Sequence, residues 1–208
     1  MVYHDIIECL VAALEARDPY TRGHSERVAD MTLDLARRIG LKGAELEAVH
    51  IAAHVHDIGK IGVPDKILSK QDKLLPHERD AIQRHPKIGY RILAKSKKLK
   101  RIALMTLHHH ERWDGNGYPS GLKGEAIPLG SRIIALCDAV DAMTSDRPYR
   151  QALSWQECWD EVVSCKALQF DPVLVEAAEG LWHMWEIKWP KRQAKKLKLL
   201  QSKEAFEI

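Results

Sequence analysis

Long apolar runs are missing from this chain of 208 residues: none approaches the ~20 residues that cross a bilayer, and the N-terminus lacks the basic-then-apolar pattern of a secretion signal. Aromatic residues make up only 6%, and alternating β-branched residues are scarce, so a sheet-based core is not expected. The four cysteines, Cys9, Cys137, Cys158 and Cys165, form neither a C-x-x-C pair nor the regular spacing of a disulfide framework, and a reducing cytoplasm is the expected compartment. Charge of one sign is lacking too. Lysine and arginine total 32 against 29 acidic residues, a net +3, so no global field announces a nucleic-acid polymer or a membrane as partner. An anionic ligand must then be held locally. The basic surplus near Lys188 to Lys198 reads as a solvated helix face, and there is no internal repeat or low-complexity tract.

What is present is helical periodicity. Apolar residues recur at three- and four-residue intervals over Ile6–Leu14 and Val28–Ile39, with Asp18-Pro19 between them, and Gly40 stands where a helix stop is expected. A third helix is expected over Ala44–Ile58, ending at Gly59, followed by a turn from Lys60 to Ser69. Pro76 suits a first helical turn, with an interruption at Pro86 before Ile88, Ile92 and Leu93, and Leu99–Leu107 gives a further short helix. Trp113–Gly130 holds five glycines and two prolines and reads as a long functional loop, with room for a short hairpin. Ser131 is the expected N-cap of a helix through Thr144, Ser154 that of a helix over Trp155–Leu168, and a last helix is expected to begin after Asp171-Pro172 and run to Trp189. With 45% hydrophobic and 29% charged residues, the expectation is an all-α, single-domain helical bundle.

Eleven histidines exceed an ordinary share, and several lie beside carboxylates at helix ends. His56-Asp57 closes an apolar helix, so both side chains need partners in a largely buried setting. One such pair is explained by a hydrogen bond within the core. The same chain, however, offers His24, His85, His109, His110 and Asp138 in or beside helices that can face one interior. Six or seven such ligands suit two transition-metal ions, each keeping positions open for water and substrate. His4, His77 and His183 read as exposed, His50 and His54 as supporting groups, and His108 as a competitor of its two neighbours. Asp141 shares a helix face with Asp138 and is assigned to orienting a metal-bound water or to supporting a ligand. Lys60 offers a charge to a phosphoryl oxygen or simply caps a helix end. Arg147 and Arg150 either clamp a second phosphate or decorate the surface.

Five ordered blocks carry a family resemblance: D-P-Y-T-R-G-H-S-E-R-V (Asp18 to Val28), H-D-I-G-K-I-G-V-P-D (His56 to Asp65), H-P-K-I-G (His85 to Gly89), H-H-E-R-W-D-G-N-G-Y-P (His109 to Pro119) and D-A-V-D-A-M-T-S-D-R-P-Y-R (Asp138 to Arg150). The sequence resembles an HD-GYP domain, a subgroup of the HD phosphohydrolase superfamily, over most of its length. The resemblance implies a helical HD-type domain with a core at about 14–172 and a C-terminal helical extension at 173–208. It also implies hydrolysis of the bacterial second messenger cyclic di-GMP with two or three metal ions, often iron or manganese. By position the implied metal ligands are His24, His56, Asp57, His85, His109, His110 and Asp138. Lys60, Asp57 and Asp141 are the implied catalytic residues, and Lys60, Arg147, Arg150 and Tyr118 the implied substrate contacts.

Some relatives with three metals carry a glutamate four residues before the first histidine; Tyr20 stands there in this chain, which implies two metals and release of the linear dinucleotide pGpG rather than GMP. In the expected mechanism a hydroxide between the two ions attacks phosphorus in line. The loop around Gly117-Tyr118-Pro119 implies recognition of a GGDEF-type or other signalling protein, and the helical start implies a sensory or receiver domain ahead of this one. Two alternatives stand beside this reading: a module that binds a cyclic dinucleotide without turnover, and an HD phosphohydrolase acting on another nucleotide.

Overall fold

A computed structural model describes residues 2–17, 23–146 and 151–190. Among these residues the regular structure is helical: α1 (Val2–Arg17), α2 (His24–Arg38), α3 (Gly43–His54), α4 (Asp65–Leu68), α5 (Pro76–Gln83), α6 (His85–Leu93), α7 (Lys100–His108), α8 (Leu129–Thr144), α9 (Trp155–Ser164), α10 (Pro172–Glu179) and α11 (Trp182–Lys188). The described residues contain no strand, only an isolated bridge between Lys166 and Phe170. The expected all-α bundle is therefore what the chain forms.

α8 is the centre of the bundle, with α2, α7 and α9 packed around it and α3 lying against α2 and α7. Ile133, Ile134, Leu136, Cys137 and Val140 make α8 apolar on most of its circumference, and all five are fully buried. α2 needs only one apolar stripe, and Val28, Met31 and Leu35 supply it at helical spacing. Each large aliphatic side chain buried here contributes roughly 1.5–3 kcal/mol. Four tryptophans are gathered in one place, where Trp155 packs edge to face on Trp182 and Trp159 and Trp185 lie tilted against the same ring. Their indole N–H groups donate across elements, Trp182 to the carbonyl of Trp155 at 3.1 Å and Trp185 to Asp34 at 3.2 Å, tying α9 and α11 to each other and to α2.

Several boundaries differ from the periodicity. α3 stops at His54, so His56 and Asp57 sit in a tight turn ahead of a 3-10 turn at Ile58–Gly62, not in the last turn of a helix. The expected turn from Lys60 to Ser69 contains α4. Ser131 is not an N-cap: α8 begins two residues earlier, and the Ser131 hydroxyl donates to the carbonyl of Met105 at 2.9 Å inside the core. Ser154 does cap α9, in a reciprocal box with Glu157. α9 ends at Ser164, because the chain then reverses through Ala167 at φ 62°. The expected last helix is two, divided at Gly180-Leu181 where Arg38 packs over the glycine. The long loop holds a 3-10 turn at Gly124–Ala126 in place of a hairpin.

The 3-10 turn and α6 are pressed backbone to backbone at Gly59. A Cβ there would lie 1.9 Å from the carbonyl oxygen of His85 and 2.5 Å from the nitrogen of Gly89. Backbone cannot rotate away as a side chain can. Gly59→Ala is expected to destabilise the fold by about 3 kcal/mol and to displace His85, read as a lower denaturant midpoint at unchanged slope.

Candidate metal centre

Helix ends deliver most of the functional side chains. His24 is the first residue of α2, placed by Gly23 at φ 67°, whose N–H donates to Glu15 at 2.9 Å. His85 opens α6, His109 and His110 follow the end of α7, and Asp138 faces them from the middle of α8. His24, His56, Asp57, His85 and His109 are buried, and His110 and Asp138 are partly so. All seven expected ligands meet in one place.

Their proton placement is fixed from behind. Nδ1 of His56 donates to the carbonyl of Ala53 at 2.6 Å, that of His85 to Ile82 at 2.8 Å and that of His109 to Thr106 at 2.6 Å. Each acceptor lies three residues earlier, in the last turn of a helix, where carbonyls lack an intrahelical partner. His24 turns its Nδ1 to Asp141 at 2.7 Å. With Nδ1 committed, the Nε2 atoms point inward and approach one another, His24 to His56 at 3.3 Å and His85 to His109 at 3.2 Å. In the neutral rings no hydrogen lies between those nitrogens. A cation resolves both contacts, so the donor set fits divalent metal.

The donors fall into two bays, one formed by His24, His56 and Asp138 and the other by His85, His109 and His110. Asp57 stands between them. Its Oδ2 lies 3.5 Å from His56 Nε2 and 3.9 Å from His24 Nε2, whereas its Oδ1 lies 3.2 Å from His85 Nε2. One carboxylate thus presents one oxygen to each bay.

Electrostatics favour the metal-binding protonation state. Burial, joined by the repulsion of neighbouring imidazoles, lowers His109 well below its ordinary value and His110 to about 4. His56 is lowered as well, chiefly by burial. Burial pushes Asp57 upward, but the charge of Lys60, helped by the neighbouring His56 and His85, outweighs it and holds the carboxyl well below its usual range. Asp138 is likewise held low against burial, mainly by its hydrogen bond with His24. His24 is raised to about 9 despite burial, because Asp138 and Asp141 both accept from it. Three neutral imidazoles beside ionised carboxylates are lone pairs without protons, and the proton His24 attracts reports the negative potential there.

Around this cluster, Lys60 reaches back to Asp57 with Nζ 2.5 Å from Oδ2. The Tyr118 ring stacks on His110 at 4.9 Å between centroids. Asp141 faces away from the inward lone pairs and grips Nδ1 of His24; of its two expected roles, this is the geometry of ligand support. His108 turns to Glu111 at 3.3 Å and does not join the cluster. His50 and His54 pack against each other on α3, and His183 is exposed. Tyr20, Arg147 and Arg150 lie outside the described residues.

Sequence reasoning missed two residues. Arg27 holds Asp141 through Nε and, at 3.0 Å, through Nη2; an arginine three residues after a ligand histidine was the available signal. Glu111 is buried beneath the glycine-rich loop, accepting from the N–H of Ser120 at 2.7 Å and of Leu122 at 3.1 Å. Gly117 lies so close over Glu111 and Arg112 that a Cβ would come within 2.3 Å of the Arg112 nitrogen.

The fold and site define a class: an all-helical domain built round a buried cluster of imidazole and carboxylate donors. A model of the HD domain matches residues 8–174. A cyclic di-GMP phosphodiesterase of Thermotoga maritima is 41% identical over 175 residues, covering 83% of this chain and 48% of the relative. The cyclic di-GMP phosphodiesterase response regulator RpfG of Xanthomonas campestris is 41% identical over 170 residues, covering 81% and 45%. The chain spans about half the length of these curated relatives. The HD domain of the phosphodiesterase PgpH of L. monocytogenes, solved with cyclic-di-AMP, superposes with a TM-score of 0.64 at 19% identity, over 88% of this chain and 98% of that one. At that identity the likeness is one of fold. The chain belongs to the HD domain family, in the HD-GYP subgroup.

Two outcomes follow from this geometry. Glu111→Ala strands two backbone N–H groups, and a loss of about 2–4 kcal/mol is expected in equilibrium unfolding. Adding manganese or ferrous ion to chelator-treated protein is expected to raise the melting temperature by several degrees, since the ions bind the folded donor set preferentially. An unmoved melting temperature with either ion would contradict the two-bay assignment.

Proposed function

We propose that this chain is a metal-dependent phosphodiesterase that opens cyclic di-GMP to the linear dinucleotide pGpG, acting in the cytoplasm with two divalent ions, iron or manganese. The observation that carries the reading is Asp57, with one carboxylate oxygen turned to each of two three-residue bays. The curated relatives named as cyclic di-GMP phosphodiesterases support the substrate.

Bound ions supply Lewis-acid polarisation of the phosphate and a water acidic enough to lose its proton near neutral pH. Asp57 holds the two bays in register, and its ionised state at neutral pH follows from its depressed pKa. Asp141 keeps the His24 proton on Nδ1, and Arg27 keeps Asp141 in place. Lys60, half-buried beside Asp57, is positioned to offset negative charge growing on a phosphoryl oxygen. Tyr118 stacks on His110 and forms a wall against which substrate rests. Arg147 and Arg150 follow α8 in sequence and are assigned to the second phosphate. The Gly117-Tyr118-Pro119 loop is assigned to a signalling partner.

The test is product analysis with cyclic di-GMP, 3'3'-cGAMP and cyclic di-AMP, the second because a Vibrio cholerae relative 44% identical over 151 residues is named a 3'3'-cGAMP-specific phosphodiesterase. Asp57→Ala is expected to lose metal and to reduce turnover by at least about 10³-fold. Full turnover with the metal retained would sink the scheme. Lys60→Ala is expected to keep its metal and lose about 10²-fold in kcat. Tight dinucleotide binding without product over hours would favour a binding module instead.

A further inference from the structure

The positions of α8 that remain partly open are Leu129, Arg132, Ala135, Asp138, Ala139, Ala142 and Met143, the three- and four-residue spacing of a single helix face. An open helix face ordinarily carries charged side chains. Beside Leu129, Arg132 and Asp138 this one carries three alanines and a methionine, and these four line a cleft of about 340 Å³. His110 and Asp138 of the donor cluster line it too, so the cleft and the centre are continuous. Opposite α8 stand the buried ring of Phe170, the half-buried Gln169 and the exposed carboxylate of Glu161 on α9.

We infer that this cleft is a guanine subsite, read by Glu161. The inference rests on the proposed phosphodiesterase activity and assigns the part of the substrate that the metal ligands do not address. Small side chains one above another leave a flat apolar wall, which accepts a planar base and excludes little of its face from contact. Asp138 and Ala142 are four residues apart on the helix, a rise of about 6 Å, comparable to the reach from a phosphate to its own base. A base in the cleft therefore leaves its phosphate at the donor cluster.

The polar groups select which base. Guanine presents N1–H and the N2 amino group as two adjacent donors, and a carboxylate offers two acceptors at matching spacing. Adenine places the unprotonated N1 at that edge, which faces the carboxylate lone pair to lone pair. Among the described residues the Glu161 carboxylate has a long contact with Cys165, 3.6 Å from Sγ, to compete with a base. Arg112, the nearest cation lining the cleft, is committed to Asp114 and to the Gln169 carbonyl oxygen at 2.9 Å. That second bond orients the Gln169 amide so that its NH2 faces away from Arg112 as a donor suited to O6 or N7 of guanine. A site built to pair with a particular edge rejects the base that lacks it.

Calorimetric titration of metal-loaded protein with GMP and with AMP tests this without turnover. The parent protein is expected to bind GMP about tenfold more tightly than AMP. Glu161→Gln, at an exposed position, is expected to bring the two affinities together, and Ala139→Leu, which fills the cleft, to weaken both nucleotides. In turnover, Glu161→Gln is expected to lower the ratio of kcat/KM for cyclic di-GMP over cyclic di-AMP about tenfold, mostly through KM. Equal binding of GMP and AMP by the parent, or an undiminished preference in Glu161→Gln, overturns the inference. A protein that prefers GMP yet never cleaves cyclic di-GMP overturns the proposed function and leaves the subsite standing. One that cleaves it without distinguishing the bases does the reverse.

Discussion

The site depends on where each buried imidazole keeps its proton. An uncharged histidine has one donor and one acceptor nitrogen, and the surroundings choose which is which. Three helices end just before a histidine, and in each case a carbonyl of the last turn takes the Nδ1 proton of His56, His85 or His109. The carbonyls that a helix leaves unpaired thus set the tautomers. The same helix ends carry negative partial charge, which adds to the attraction for a cation. His24 begins a helix, and its Nδ1 turns instead to Asp141, which Arg27 holds in turn.

Donors gathered from distant segments must be held in place, and the rest of the bundle does this. α8 anchors it, buried along most of its length and carrying Asp138 on the strip that stays partly open. Gly59 lets the Asp57 turn lie directly on the α6 backbone, so that Asp57 and His85 face each other across 3.2 Å. On the other side Glu111 gathers the glycine-rich loop and holds Tyr118 over His110. These are separate devices with one effect: donors arriving from five parts of the chain are held rigidly, so little reorganisation is needed when charge arrives.

Much of this was legible along the chain. His24, His56-Asp57, His85, His109-His110 and Asp138 stood out because imidazoles and carboxylates in apolar, helix-forming context need a reason to be buried, and all seven converge. Ser154 was readable as a helix cap because capping is local, settled within three residues. Ser131 had the same local signature and proved different, since a tertiary acceptor, the carbonyl of Met105, captured its hydroxyl. α3 was drawn too long for a related reason: apolar residues continue through Ile58, but the chain must leave the helix for Gly59 to meet α6. Arg27 and Glu111 passed as ordinary charged residues, because nothing within a helical turn of either reveals what it holds.

The sequence by itself determined the helical class, the lack of an apolar run long enough to cross a membrane, the family and which imidazoles and carboxylates need partners in the core, all of which rest on residue type and short-range spacing. Tertiary structure decided what those donors do together. It turned Asp57 so that its oxygens face two different bays, sent Asp141 behind His24, directed His108 away from its neighbours and opened the apolar face of α8 as a cleft. Spacing along a chain fixes which residues share a helix face. Which ring nitrogens approach one another across 3 Å depends on how helices from distant segments pack, and that packing is settled only when the whole core is buried at once.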